Sequence, residues 1–482
     1  MLKVRAVEFS QQLLRTRFPF RYGIASMTEV PHLFVRAEVQ LHGKTGYGIS
    51  ADLLPPKWFT KDPLTDYTSH DLPEMRQVIE RAAEIACEIP ATHDFFCWWK
   101  ELYTEQMKWC AQKKIAPLLA AFGVSLIERS VIDAWCRIRQ ITFHQLLKSK
   151  DLGIDLGELR SELKQVGLLD CIAQSLPTSL QLRHTIGLGD PLTDAEISPD
   201  DQVQDGLPQS LEACIRRYGM RYFKIKISGN LLQDTERLQG IARLLTLAVK
   251  GEFQFSMDGN ENYTTIEHFR NDFEDLRAQP ALRKFFDQGL LFVEQPLHRN
   301  HALSESVRSE ILSWSTAPPL IIDESDADLN SVPLALNLGY SGTSHKNCKG
   351  IMKGLANAAS IHQAGTARKP AILSSEDLAN VAPVALMQDL AVAASLGITH
   401  SERNGHHYFA GLSQFSTTVQ KSVLEQHADL FQASEQGFPV LKAQDGQISL
   451  ASVLQIGFGQ SFDPEHLEVA WRPEIPKFEW PR

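Results

Sequence analysis

Three acidic residues stand where three successive apolar runs end. Asp258 follows FQFSM, Glu294 follows LLFV, and Asp323 follows LII with Glu324 directly behind it. The separations are 36 and 29 residues, about one strand-plus-helix unit each. A single acidic residue at such a point is most simply a helix N-cap or a turn former. Three in consecutive units converge, and convergent carboxylates repel and raise one another's pKa. A hard divalent cation relieves that repulsion: oxygen-only ligation suits Mg²⁺ or Mn²⁺ and leaves positions for water and substrate.

Lysines flank this set. In RYFKIKISG, Lys224 and Lys226 are two apart, so in a strand both ammonium groups share a face while Phe223, Ile225 and Ile227 take the other. The plain reading is an edge strand kept soluble by lysine. Further on, SHKNCKG supplies Lys346 and Lys349, an odd number apart, which predicts opposite faces if that segment is extended. The same parity rule lets only one of Asp323 and Glu324 enter a shared interior. Two amines on opposite sides of a metal site can take a proton from one face of a carbon acid and return one to the other.

The elements that must position these groups change rhythm along the chain. Residues 1–50 alternate polar and apolar positions as an antiparallel meander, interrupted by RFPFRYGIASMTEV, read as a loop able to lie over a site. From about Asp71 to Lys148 the pattern is helical, and Phe95, Phe96, Trp98 and Trp99 read as core. From about Leu180 short strands and amphipathic helices alternate about eight times over roughly 230 residues, the signature of a (β/α)₈ barrel. A doubly wound sheet is the alternative, and no G-x-G-x-x-G follows a first strand to favour it. The polar strand ends then lie on the C-terminal rim, where barrel enzymes place their sites.

Bulk properties narrow the class. The 482 residues are 43% hydrophobic, enough for a large core or two domains, and the net charge of -10 argues against a nucleic-acid partner. Seven dispersed cysteines without C-x-x-C fit reduced thiols and argue against a disulfide framework or a structural zinc site. MLKVRAVEFS lacks the apolar core of a signal peptide, and no run has the length of a membrane span, so a cytoplasmic chain with no membrane partner is expected.

Taken together, Lys224-x-Lys226, Asp258-x-Asn260, Glu294-Gln-Pro, Asp323-Glu-Ser and Lys346 resemble the enolase superfamily over nearly the whole chain. The subgroup they resemble is the muconate-lactonizing-enzyme-like one of the mandelate racemase/muconate lactonizing enzyme family. The resemblance implies an α/β fold: a (β/α)₈-type, modified TIM barrel over 179–410, with an α+β capping domain built from 1–178 and from a C-terminal segment, 411–482, packed back on it. It implies a Mg²⁺-stabilised enolate, with Mn²⁺ as a substitute ion, formed by removing a proton α to the carboxylate of a small-molecule substrate.

Carried over by position, Asp258, Glu294 and Asp323 match metal ligands, with Glu324 the alternative to Asp323. Lys226 matches the acid/base lysine, and Lys224 its electrostatic partner, whose charge disfavours a second charge on Lys226. Lys346 matches the sixth-strand lysine, with Lys349 as the alternative, while Asn260 and Glu324 match supporting positions. Substrate-contacting candidates are Arg21 and Tyr22 in the Phe20–Met27 loop, and Glu376, Asp377, His400, Glu402 and Arg403 at the last strand ends.

The chain departs from the pattern after Lys346, where Asn347-Cys348-Lys349-Gly350 offers one glycine instead of a pair, and before it, where Ser344-His345 replaces the usual asparagine. Strand seven ends in Ser374-Ser375-Glu376 without a histidine, which speaks against the mandelate-racemase-like subgroup. Racemisation or epimerisation, cycloisomerisation and β-elimination of the o-succinylbenzoate-synthase type share the implied enolate. The alternative is a non-catalytic relative that binds an acid. Barrels of this kind often form homo-oligomers, and no interface is legible here.

Overall fold

A computed structural model describes residues 1–365, 371–460 and 462–477. The chain opens with a three-stranded antiparallel sheet, β1 (Leu2–Tyr22), β2 (Ala25–Leu41) and β3 (Lys44–Leu53), in the order β1-β2-β3. The stretch Phe20–Met27, expected as a loop, is instead the tip of the β1–β2 hairpin. Phe20 pairs with Met27 and Tyr22 with Ala25 across a turn at Gly23 and Ile24, beyond a break in register after Arg15. Gly23 adopts φ +50, which a residue without Cβ tolerates at such a turn.

Three helices follow, α1 (Leu72–Glu88) and α3 (Pro117–Arg139) packing on the sheet and α2 (Phe95–Lys113) packing on those two. Phe95, Phe96, Trp98 and Trp99 are buried as expected of core residues. Helix α3 is buried along most of its length, including Ser125, Glu128, Arg129, Ser130 and Asp133, because it is wedged between the sheet and the rest of the molecule. Residues near the chain's end also meet this sheet: Phe9 and Arg472 exchange backbone hydrogen bonds of 2.7 and 2.9 Å.

Eight parallel strands follow: β4 (Ser179–Ile186), β5 (Tyr222–Lys226), β6 (Gln254–Asp258), β7 (Leu290–Glu294), β8 (Leu320–Ile322), β9 (Gly342–His345), β10 (Ile372–Ser375) and β11 (His400–Glu402). They form one curled sheet in the order β10-β9-β8-β7-β6-β5-β4-β11, with Gln447–Ser449 added antiparallel to β4. Among the described residues no backbone ladder joins β10 to β11, and the Ser401 hydroxyl donates to Ser375 O at 2.9 Å across that seam. The stretch 266–289 forms two helices, Ile266–Ala278 and Pro280–Gly289, because a proline cannot continue the ladder of the first.

Ladder register sets the site. Lys226 lies opposite Asp258, and Asp258 opposite Glu294, so three charged residues share one level at the C-terminal ends of neighbouring strands. No helix among the described residues is long and apolar enough to cross a membrane.

Candidate functional site

Strand β5 is extended to its end, so Lys224 and Lys226 do share a face, and both are buried. Their surroundings differ. The Lys224 ammonium sits among four carboxylates, 3.0 Å from Asp258 Oδ2, 3.0 Å from Glu294 Oε2 and 2.8 Å from both Glu376 Oε2 and Glu402 Oε2. Burial opposes its charge, but these four carboxylates outweigh burial and hold its pKa well above the ordinary lysine value. Its charge is therefore answered locally. Lys226 donates to Asn260 Oδ1 at 2.6 Å and lies 3.5 Å from Asp258 Oδ2. Asn260 adopts φ +46, a conformation asparagine tolerates. There its backbone N–H and side-chain amide both donate to Asp258, at 2.7 and 3.1 Å, fixing that carboxylate beneath Lys226.

The parity argument fails at the next two positions, for one reason: the strands stop short. β8 ends at Ile322, and Asp323 and Glu324 lie on the turn beyond it, so both line the same cavity. β9 ends at His345, and Asn347–Lys349 is a single 3₁₀ turn, so Lys346 and Lys349 both reach Asp323, at 2.7 Å each. Only Lys346 faces the cavity, 3.1 Å from Glu376 Oε2 and with its ammonium 4.6 Å from the centre of the Trp58 ring. Lys349 is turned beneath, donating also to Asp323 O and Ser344 O at 2.7 and 2.8 Å, which fills its donor capacity.

Protonation follows this geometry. Burial opposes ionisation of Asp323, yet Lys346 and Lys349 outweigh it and hold its pKa well below the carboxylate range. Burial and repulsion from Glu376 push Glu294 well above that range. Burial, then the charge of Asp323, pushes Glu324 up to about 8. Six carboxyl groups, Asp258, Glu294, Asp323, Glu324, Glu376 and Glu402, thus confront five cationic groups, the ammonium groups of Lys224, Lys226, Lys346 and Lys349 and the Arg183 guanidinium beside Glu376, so acidic groups are in surplus. Glu324 Oε2 is buried without a hydrogen bond, and Glu294 Oε2 faces the Lys224 ammonium at 3.0 Å.

This surplus is the test for a metal. Glu294, Asp323 and Glu376 each offer an oxygen within 4.8 Å of the others. An all-carboxylate donor set fits a hard divalent ion of the Mg²⁺ or Mn²⁺ kind. The grouping brings in Glu376, named from the sequence as a substrate contact. Asp258, named there as a ligand, is held by Lys224, Lys226 and Asn260.

Over the mouth lie Phe20, Tyr22 and Met27 of the hairpin tip and Trp58 of the segment after β3, leaving a cavity of about 50 Å³. That is room for an ion and its waters. The Tyr22 hydroxyl donates to Pro56 O at 2.9 Å, tying these two pieces together. Arg21 is not brought to the site: it is exposed beside Gly189. Nor is Arg403, which is buried behind the rim with its Nη1 3.4 Å from Asp377 Oδ2. His400 faces Arg183 Nη1 at 3.0 Å and stacks on Tyr222.

Two contributors were missed. Trp58 belongs to an irregular segment and carries no sequence signal. Arg183, whose Nη2 lies 3.2 Å from Glu376 Oε1, had one: Gln181, Arg183 and Thr185 form a polar face in a strand that is buried on both sides.

No family model matches this sequence, and no curated protein matches it. Solved structures do match the fold. N-succinyl Arg/Lys racemase from Bacillus cereus aligns with TM-score 0.60 at 16% identity, covering 97% of each chain. Muconate lactonizing enzyme from Pseudomonas fluorescens, complexed with muconolactone, aligns with TM-score 0.56 at 16% identity over 97% of this chain and 98% of its own. An enolase from Bradyrhizobium, complexed with magnesium and mandelic acid, aligns with TM-score 0.57 at 13% identity, again over 97% and 98%.

Proposed function

We propose that this chain, which has the fold of the mandelate racemase/muconate lactonizing enzyme proteins of the enolase superfamily, removes a proton α to a carboxylate in a Mg²⁺-dependent isomerase or lyase reaction. The observation that carries the reading is one cavity lined by three lysines, Lys224, Lys226 and Lys346, against a buried surplus of carboxyl groups at consecutive strand ends. The proposed ligands are Asp258, Glu294 and Asp323. Glu376 competes for the same place, since Asp258, Glu294 and Glu376 already share the Lys224 ammonium. When bound there, Mg²⁺ supplies the positive charge against which a substrate carboxylate can accept developing negative charge.

The chain's own residues divide the proton work. Lys226, held by Asn260 Oδ1, is the base that takes the α-proton on its Nζ. Lys346 is kept protonated: burial opposes its charge, but Asp323 and Glu376 outweigh burial. It is therefore the donor on its own side of the cavity. Lys224 stays an ammonium and holds Asp258, Glu294, Glu376 and Glu402 in place. Phe20, Met27 and Trp58 exclude water, which strengthens every charge interaction inside. Substrate entry and the choice among racemisation, cycloisomerisation and elimination rest on the hairpin tip and on Asp377 and Glu402. Arg403, committed to Asp377, is not offered as a substrate contact.

The test is α-proton exchange in D₂O with Mg²⁺, using N-acyl amino acids, dipeptides and lactone-forming diacids. The expected result is deuterium at the α-carbon of at least one class, lost by 10²–10⁴-fold, roughly, in Lys226→Ala with metal binding retained. Exchange that persists in Lys226→Ala refutes the assigned base. No exchange across the panel favours a chain that binds acids without enolising them.

A further inference from the structure

A second constellation lies outside the barrel mouth. On β4, Arg183 and Thr185 turn inward, to Glu376 and Glu402 respectively. Residues between them must turn outward. The outward row is Leu180, Leu182, His184 and Ile186, apolar except for one imidazole. His184 meets Cys214, from the helix Leu211–Tyr218, and His407, from the short helix Gly405–Tyr408 that follows β11. One donor atom from each of the three lies within 4.8 Å of the others, and their exposures are 2%, 0% and 2%.

We infer that His184, Cys214 and His407 supply three protein ligands to a Zn²⁺ ion that pins the first unit of the barrel to the last. Cys214 Sγ lies 3.6 Å from His407 Nδ1. Metal–sulfur bonds of about 2.3 Å and metal–nitrogen bonds of about 2.0 Å at a tetrahedral angle put sulfur and nitrogen about 3.5 Å apart. A thiol–imidazole hydrogen bond has a similar length, but it leaves the rest of the pocket unexplained. His184 Nδ1 is buried without a partner, and so are both ring nitrogens of His406, whose ring centroid lies 5.7 Å from that of His184. Buried polar atoms are normally satisfied, and this wall holds three orphaned imidazole nitrogens around one thiol.

The donor chemistry selects the ion. One sulfur and two imidazoles are borderline-soft ligands that suit zinc, whereas the oxygen-only barrel mouth suits Mg²⁺. The electrostatics agree. Burial holds all three histidines neutral: His184 is lowered to about 4, His406 to about 3, and His407 well below the usual imidazole value. Neutral imidazole is the form that ligates. Burial also pushes the Cys214 thiol far up, so it ionises only if a metal takes the proton's place, and the Arg17 guanidinium favours that thiolate. Arg17 Nη1 donates to His407 O at 2.7 Å while its Nε is paired with Asp205 at 2.5 Å. The site therefore also touches β1, which carries the hairpin tip.

The test is to produce the full chain in zinc-supplemented and in cobalt-supplemented medium, and to purify it in Mg²⁺ without chelator. The expected result is one zinc per chain by elemental analysis and, in the cobalt protein, a thiolate-to-cobalt band in the near ultraviolet. Cys214→Ser should abolish the band, and His407→Gln, which keeps the thiol, should weaken metal retention about 10–100-fold. The wild-type measurements stand even if a variant misfolds. A wild-type chain without zinc or the cobalt band, one that takes up copper in place of zinc, or a band unchanged in Cys214→Ser overturns the inference.

Discussion

The barrel mouth and the seam around α3 both bury charge, and they do so in opposite ways. In the seam Arg129 and Arg137 each have a carboxylate of their own, and Glu128, without a cation, accepts from the backbone N–H of Ile351. Arg129 Nη2 lies 2.7 Å from Asp52 Oδ2 with both side chains fully buried, and Asp133 accepts from Arg137 Nε at 2.7 Å and from Ile49 N at 2.9 Å. In the mouth one ammonium, Lys224, is divided among four carboxylates, and Glu324 Oε2 has no hydrogen bond. One-to-one pairing fixes how two layers sit together. A shared cation beside surplus carboxylate describes a site with room for a further positive charge.

Removing the cation from each region separates these roles. Arg129→Met should cost about 3–5 kcal/mol of stability, because Asp52 is left buried and unpaired. Lys224→Met should cost a similar amount in chelator. Added Mg²⁺ should recover part of the loss in Lys224→Met and none in Arg129→Met, read as thermal midpoints with and without the ion. Equal rescue, or none in either, breaks the comparison.

A smaller effect reads the seam by pH. Glu128 on α3 accepts from the backbone N–H of Ile351, and burial raises its pKa from 4.5 to about 7. The folded state therefore binds the proton more tightly than the unfolded one. Its contribution is full below about pH 4.5 and is lost as pH rises through 7, by at most about 3 kcal/mol. Glu128→Gln should flatten that fall across pH 4.5–7. An unchanged slope would place the pH dependence elsewhere. The smallest expected change sharpens the mouth: Asp258→Asn should weaken Mg²⁺ at least tenfold, about 1.4 kcal/mol, by titration calorimetry. Unchanged affinity would transfer the third ligand position to Glu376.

The strand–helix rhythm was legible because each β/α unit hides one face of a strand and one stripe of a helix, and that periodicity survives in sequence. The Lys224–Lys226 face was legible for the same reason: β5 is extended through Lys226. Parity misled at Asp323–Glu324 and at Lys346–Lys349 because β8 and β9 end one residue before the first of each pair, and a turn has no period of two. The hairpin tip read as a loop because its aromatics and glycine mimic one, although the ladder runs on to Tyr22 and Ala25. Arg21 and Arg403 looked like anion contacts from their place beside the rim, but side-chain direction sends one to solvent and the other to Asp377. Trp58 depends on how an irregular segment folds over the mouth, which no local pattern encodes.

The central claim is that the carboxylate surplus at the barrel mouth takes up a divalent cation. Mn²⁺ binding followed by electron paramagnetic resonance on chelator-treated protein tests it most directly. The account predicts that the free-ion signal falls as one Mn²⁺ binds per chain, returns on adding excess Mg²⁺, and stays unbound in Glu294→Gln. No uptake by the wild-type chain, or equal uptake by Glu294→Gln, would contradict it.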